Sequence, residues 1–145
     1  AEISSVRFVD QMDQERADIP FDQPIIVEVV YEVYEECIAQ PVLGIALKAI
    51  DDTYICGLNT LLDEKSIPWK RGRNMMRLRY SFGLRVLGGR YYIDVALFEE
   101  TATIPMHYLA HASEITVSAA YRGEGEFILS HEWEQDNLLP REGVS

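Results

Sequence analysis

Apolar and polar residues alternate along most of this chain, most clearly in GGRYYIDVALF, from Gly88 to Phe98. Tyr91, Ile93, Val95 and Leu97 share one parity, and Arg90, Tyr92, Asp94, Ala96 and Phe98 share the other. A period of two puts the two sets on opposite faces of a sheet. The first face is apolar enough to be core. The second mixes two aromatics, a cation and a carboxylate, an unusual set for a face that meets only water.

The same grammar recurs along the sequence. Ile3, Val6 and Phe8 mark a first strand, ended by the polar run Asp10 to Asp18 and a loop framed by Pro20 and Pro24. Ile25 to Tyr34 reads as a long strand with Glu28, Glu32 and Tyr34 on its polar face. Pro41 opens VLGIALKAI, which the Asp51-Asp52 turn joins to Thr53–Leu58 as a hairpin. Asn59 to Gly72, with Pro68 and Trp69, is the longest candidate loop. Asn74 to Phe82 alternates again, and Gly88-Gly89 opens the strand described above. Thr101 to Tyr108, with Pro105, reads as a loop, Ile115 and Val117 as a strand, and Gly125 to Trp133 as the last strand. About eight or nine short strands with such turn signals predict an all-β, immunoglobulin-like antiparallel β-sandwich. Its expected span is residues 1–134, followed by a polar, frayed tail over 135–145.

Composition narrows the partners. The chain has 145 residues, 48% of them hydrophobic, enough for one domain with a real core. The formal net charge of -11 argues against nucleic acid and anionic membrane surfaces, because both would repel it. The basic cluster Lys70-Arg71-Gly72-Arg73, with Arg77 and Arg79, is answered by nearby glutamates. Cys37 and Cys56 lie in or beside apolar strands and read as partly buried free thiols of a cytosolic domain. No signal segment or membrane-length apolar run is visible, and the strand-like start at Ala1 suits a domain cut from a longer protein.

Candidate chemistry is sparse on the catalytic side. No G-x-x-x-x-G-K-[ST] occurs, so no P-loop can cradle a nucleotide. His107 and His111 are four apart but follow Pro105 and lack a third ligand; they read as loop histidines, with no metal site and no cofactor expected. Glu35-Glu36, Asp51-Asp52 and Glu99-Glu100 sit at strand ends, where alternation points neighbours apart, so a glycan-processing enzyme lacks its facing acid pair. No catalytic residue is assigned. Glu28 and Glu32 opposite Arg77 and Arg79 predict exposed cross-strand ion pairs, a structural face.

The polar face of the Gly88–Phe98 strand is the candidate binding surface. Arg90, Tyr92, Asp94 and Phe98 share it, with Lys48 on one expected neighbour and Thr116 and Ser118 on the other. Aromatic rings pack on the C–H face of a pyranose, and planar polar groups bond its hydroxyls. Replacing Tyr92 and Asp94 by alanine is expected to remove binding and spare the fold. Trp69 and Trp133 could serve as stacking platforms, but Trp133 shares parity with Phe127, Leu129 and His131, which suits a core or dimer contact equally well.

Several segments together resemble a known family. Pro41-Val42-Leu43-Gly44-Ile45, Gly57-Leu58-Asn59-Thr60, Gly88-Gly89-Arg90-Tyr91-Tyr92-Ile93 and the stretch Gly123 to Trp133, with Gly125, Leu129 and Trp133, occur in the order and spacing of the C-terminal domain of Wzt. Wzt is the nucleotide-binding subunit of ABC exporters for O-antigen polysaccharide. The resemblance implies an immunoglobulin-like sandwich that binds the polysaccharide, at its chain terminus, without catalysis and before export. It implies a homodimer made by exchanging the last strand, with Phe127, Leu129, His131 and Trp133 at the contact. It also implies an upstream ATPase domain on a membrane transporter subunit, and so a cytoplasmic place beside the inner membrane. The alternative function is a structural dimerisation module of that ATPase subunit with no glycan contact.

Overall fold

Runs rich in β-branched and aromatic residues, separated by Gly, Pro and Asp turns, leave the chain little choice but strands. The computed structural model describes residues 1–36, 40–102, 104–119 and 122–135. It contains β1 (Glu2–Val9), β2 (Asp18–Pro20), β3 (Ile25–Val33), β4 (Val42–Ala49), β5 (Tyr54–Asn59), β6 (Gly72–Tyr80), β7 (Gly89–Phe98) and β8 (Pro105–Ser118). One sheet has the order β1-β3-β6 and the other β2-β8-β7-β4-β5. The pairings are antiparallel except that of β2 with β8. The fold is therefore the all-β sandwich expected, and β4–β5 is the expected hairpin.

The core forms where the apolar parities of the two sheets meet. Val27, Val29 and Tyr31 of β3 are buried with Ile45 and Leu47 of β4, Ile93, Val95 and Leu97 of β7, and Ile115 and Val117 of β8. Burying each Val, Ile or Leu side chain contributes about 1.5–3 kcal/mol. Tyr31 donates its hydroxyl to the Pro68 carbonyl and sets its ring 5.8 Å from that of Trp69. Trp69 thus packs against the core from its loop rather than standing free as a platform.

Four sequence readings change. First, Thr101–Tyr108 is not all loop: β8 begins at Pro105, which tolerates the first strand position because no N–H is needed there. His107 and His111 are strand residues. The polar residues of β8 mask its alternation. Second, Gly125–Trp133 is not a strand of either sheet. It touches the sandwich through one bridge, Phe127 opposite Val86, with Ile128 N donating to the Arg85 carbonyl. Alternation confers a tendency to extend, but a strand needs an edge to pair with, and this segment takes none. Phe127, Leu129 and Trp133 are left 48%, 78% and 94% exposed, and His131 is exposed beside them. Third, Cys56 is exposed, because the outer edge of β5 has no further strand to cover it. Cys37 and residues 136–145 of the expected tail lie outside the described residues.

The fourth change concerns Glu28. It pairs in register with Arg77, as the alternation implied, but it is only 5% exposed. Arg7 donates Nε and Nη2 to Oε1 at 3.1 and 2.7 Å, and Arg77 does the same to Oε2 at 3.1 and 2.8 Å. Burial works to raise the pKa of this carboxyl, but the two guanidinium forks hold it below the usual range. Arg79 faces Ile26 and Glu32 faces Arg73, so the second expected pair does not form in register. This outer face is a clamp across three strands, and it is structural.

Candidate functional site

The outer face of the five-stranded sheet is organised around Asp94. Ile93 faces Ser113 and Val95 faces Leu109, so three residues of β8 oppose Asp94 alone. At this bulge His111 takes φ +49°, a left-handed backbone that is strained for a non-glycine residue. Its N–H donates not to a strand carbonyl but to Asp94 Oδ1, at 2.9 Å. Asp94 Oδ2 accepts the Tyr108 hydroxyl at 2.6 Å and lies 2.7 Å from Lys48 Nζ. Asp94 is 2% exposed. Burial works against its charge, yet Lys48, Tyr108 and the His111 N–H hold its pKa below the ordinary carboxylate value. Asp94 therefore braces three strands, and replacing it is expected to cost stability, a cost that the alternation alone did not reveal.

Over this brace lies a second layer. The Tyr92 ring stacks on the His111 ring, centroids 4.1 Å apart and planes 14° from parallel. His111 Nε2 lies 2.7 Å from Asp52 Oδ1 in the β4–β5 turn. His107, in contrast, accepts the Ile3 N–H at 2.8 Å and ties β8 to β1. The two histidines serve different contacts.

Beside the brace the sheet sinks into a trough of about 270 Å³. Its floor is small: Gly44 and Ala46 on β4, Gly57 on β5 and Ala96 on β7. Tyr54, Phe98, Tyr108, Leu62, Asn59 and Asp94 rise around it. The missing side chains are what let the rings lie down. A Cβ on Gly44 would stand 3.0 Å from the Phe98 ring, and one on Gly57 only 1.7 Å from the Tyr54 hydroxyl oxygen. Asn59 Oδ1 accepts the Leu62 N–H at 2.8 Å, which turns the amide NH₂ away as a donor. Gly57→Ala is expected to swing Tyr54 off its seat with little change in Tm. Aromatic NMR shifts of Tyr54 check this; unchanged shifts would show that the glycine does not seat the ring.

All seven sequence-predicted binding residues lie on this sheet face, but at two places. Asp94 and Phe98 line the trough, Lys48 contacts Asp94, and Tyr92 lies over His111. Arg90 faces Thr116 in register and pairs with Glu114 at 3.5 Å, and Thr116 and Ser118 pair with β2. Those three form the far end of the face, outside the trough. Tyr54, Asn59 and Tyr108 escaped the sequence reading. Tyr108 was hidden by the loop reading around Pro105. Tyr54 reaches the outer face through a bulge between Leu47 and Lys48, which period-two counting cannot see. A second cavity, of about 360 Å³, opens between the sheets at β5 and β6, lined by Leu43, Ile45, Leu58, Met76 and Leu78 together with Asp63, Lys65 and Arg77. Its surface is mostly apolar, which suits a hydroxylated ligand less well.

Among the described residues no helix is long and apolar enough to cross a membrane. No curated protein matches the chain by sequence. A solved structure described as the crystal structure of the C-terminal domain of wzt superposes with a TM-score of 0.73, at 17% identity, covering 93% of this chain and 83% of that one. At that identity the likeness speaks for the fold. The family model of the Wzt C-terminal domain matches residues 1–128, which hold all eight strands, and the chain belongs to that family.

Proposed function

We propose that the trough on the outer face of the five-stranded sheet binds O-antigen polysaccharide, without catalysis, on its way to an ABC exporter. Family membership indicates a component of such an exporter. The observation that carries the binding reading is the seating of two aromatic rings, Tyr54 and Phe98, on Gly57 and Gly44 beside a fixed polar group, Asp94 with Lys48 and Tyr108. Flat rings offer a platform for the C–H face of a sugar, and the braced polar atoms fix its orientation. The trough is small, so it would hold a short stretch, as recognition of a chain end requires. A homodimer would place two such troughs on one polymer, and avidity would offset weak single contacts. The remainder of the parent protein would couple this recognition to the transporter subunit at the cytoplasmic side of the inner membrane.

The test is calorimetric titration with O-polysaccharide from the cells that make the protein. Tyr54→Ala combined with Phe98→Ala is expected to weaken binding about 10- to 100-fold, at about 0.5–1.5 kcal/mol per lost stacking contact, with an unchanged circular dichroism spectrum. Wild-type affinity in the double variant would remove the trough from consideration.

A second reading, a dimerisation module without glycan contact, draws on a different observation. Phe127, Leu129 and Trp133 form an exposed apolar run after the sandwich. A chain that dimerises through this run yet binds no polysaccharide would favour it.

A further inference from the structure

Resting on the glycan-binding reading of the trough, we infer that its ligand is a stretch of uncharged sugars, and that the site excludes uronic acids and phosphorylated sugars. The inference comes from the charges that surround the trough. Asp94 is the one charged side chain among the described residues lining it. The nearest cation, Lys48, is already 2.7 Å from Asp94 Oδ2, so the pair presents little net charge. Arg90 lies farther along the same face, outside the trough, and pairs with Glu114 at 3.5 Å. Asp52 adds a carboxylate at the His111 side. The whole chain carries a formal charge of -11. An anionic sugar would enter this field with no cation among the described residues lining the trough, and would lose hydration with little compensation.

The polar groups that remain suit neutral hydroxyls, ethers and amide carbonyls. The Asn59 amide presents NH₂ donors once its oxygen is held by the Leu62 N–H. Tyr54 and Tyr108 bring hydroxyl oxygens that can accept. Phe98 and Leu62 give the trough an apolar side, where an unsubstituted ring face or a deoxy-sugar methyl group would be buried. A hydroxyl-rich neutral ring uses all of these, whereas a carboxylate uses only the donors and meets Asp94.

Chemical neutralisation of the polymer tests the inference apart from the binding reading. O-polysaccharide from the cells that make the protein is titrated before and after carbodiimide–borohydride reduction of any uronic carboxyls, in about 50 and 500 mM salt, where screening differs several-fold. The expected result is an affinity that carboxyl reduction leaves unchanged or raises and that varies within about twofold with salt, and that Tyr54→Ala with Phe98→Ala weakens. A polymer that contains no acidic sugar and binds in this way is the same supporting result. Binding that disappears on carboxyl reduction, or that falls steeply with salt, would overturn the neutral-sugar inference and leave glycan binding standing. Binding that survives the double variant would overturn it by placing the sugar elsewhere. No binding of the native polymer would remove the glycan reading and the inference together.

Discussion

Asp94→Ala is expected to lower stability by about 2–3 kcal/mol and Tm by about 5–10 °C, the largest loss from any single residue on the outer face. The carboxylate serves three donors on two strands at once. Without it the His111 N–H, already off the ladder at the bulge, has no acceptor, and the Tyr108 hydroxyl and Lys48 ammonium face an empty position. Hydrogen bonds to a charged group contribute about 1.5–3 kcal/mol each, and water reaching the part-buried donors returns some of that loss. Asp94→Asn keeps an oxygen for the His111 N–H but loses the charge that Lys48 meets, so it should fall between the two. The pH dependence follows the same geometry. The carboxyls of Asp94 and Glu28 both titrate lower in the folded chain than in an unfolded one. The unfolded state therefore binds protons first as pH falls, and stability drops through the window from about pH 4 downward to the folded pKa values. Thermal melts from pH 7 to pH 3 on wild type, Asp94→Ala and E28A check both claims. A Tm within about 2 °C of wild type for Asp94→Ala would dismiss the brace. An unchanged acid slope in both variants would dismiss these carboxyls as its source.

The sandwich was legible because its signal is local. Tyr91, Ile93, Val95 and Leu97 announce one face of β7 by parity alone, and the parity of Val27, Val29 and Tyr31 does the same for β3. Lys48 could be placed beside Tyr92 by its outward parity on a strand expected next to β7 in a sandwich, and the two are Cα partners in the β4–β7 pairing. What alternation cannot carry is a change of register. The bulge at His111 lets a backbone N–H reach Asp94, and the bulge before Lys48 brings Tyr54 onto the outer face. Both depend on pairing between strands. The glycine seats under Tyr54 and Phe98 are also tertiary facts: Gly44 and Gly57 read in sequence as ordinary strand residues. Asp94 was named for its parity, but its burial comes from Lys48, Tyr108 and His111 closing over it. The misreading of Gly125–Trp133 has the opposite cause. Its alternation is real, yet the described chain offers it only the single bridge to Val86.

That unplaced segment carries the second large effect. The full chain is expected to be a dimer at micromolar concentration, and a chain ending at Arg122 a monomer. Phe127, Leu129 and Trp133 stand 48%, 78% and 94% exposed, against a cost of about 25 cal/mol for each Å² of apolar surface kept in water. Docking on a second copy removes that cost. Exchange of a terminal element is favoured because one copy's contacts replace those it would make in its own chain, at little loss. Only Ile128 of the run is buried within its own chain, held by the backbone bond to Arg85, and the truncation takes that contact away too. A full-length variant carrying Phe127→Ser, Leu129→Ser and Trp133→Ser separates the effects. It keeps Ile128 and the backbone bridge to Val86, removes two side chains that stand in water and one, Phe127, that is half exposed, and should be monomeric with a Tm within a few degrees of that of a wild-type monomer. Light scattering across a concentration series reads the state of all three chains. A monomeric full-length protein at micromolar concentration would defeat the exchange, and so would a truncated or triple-serine chain that remained a stable dimer.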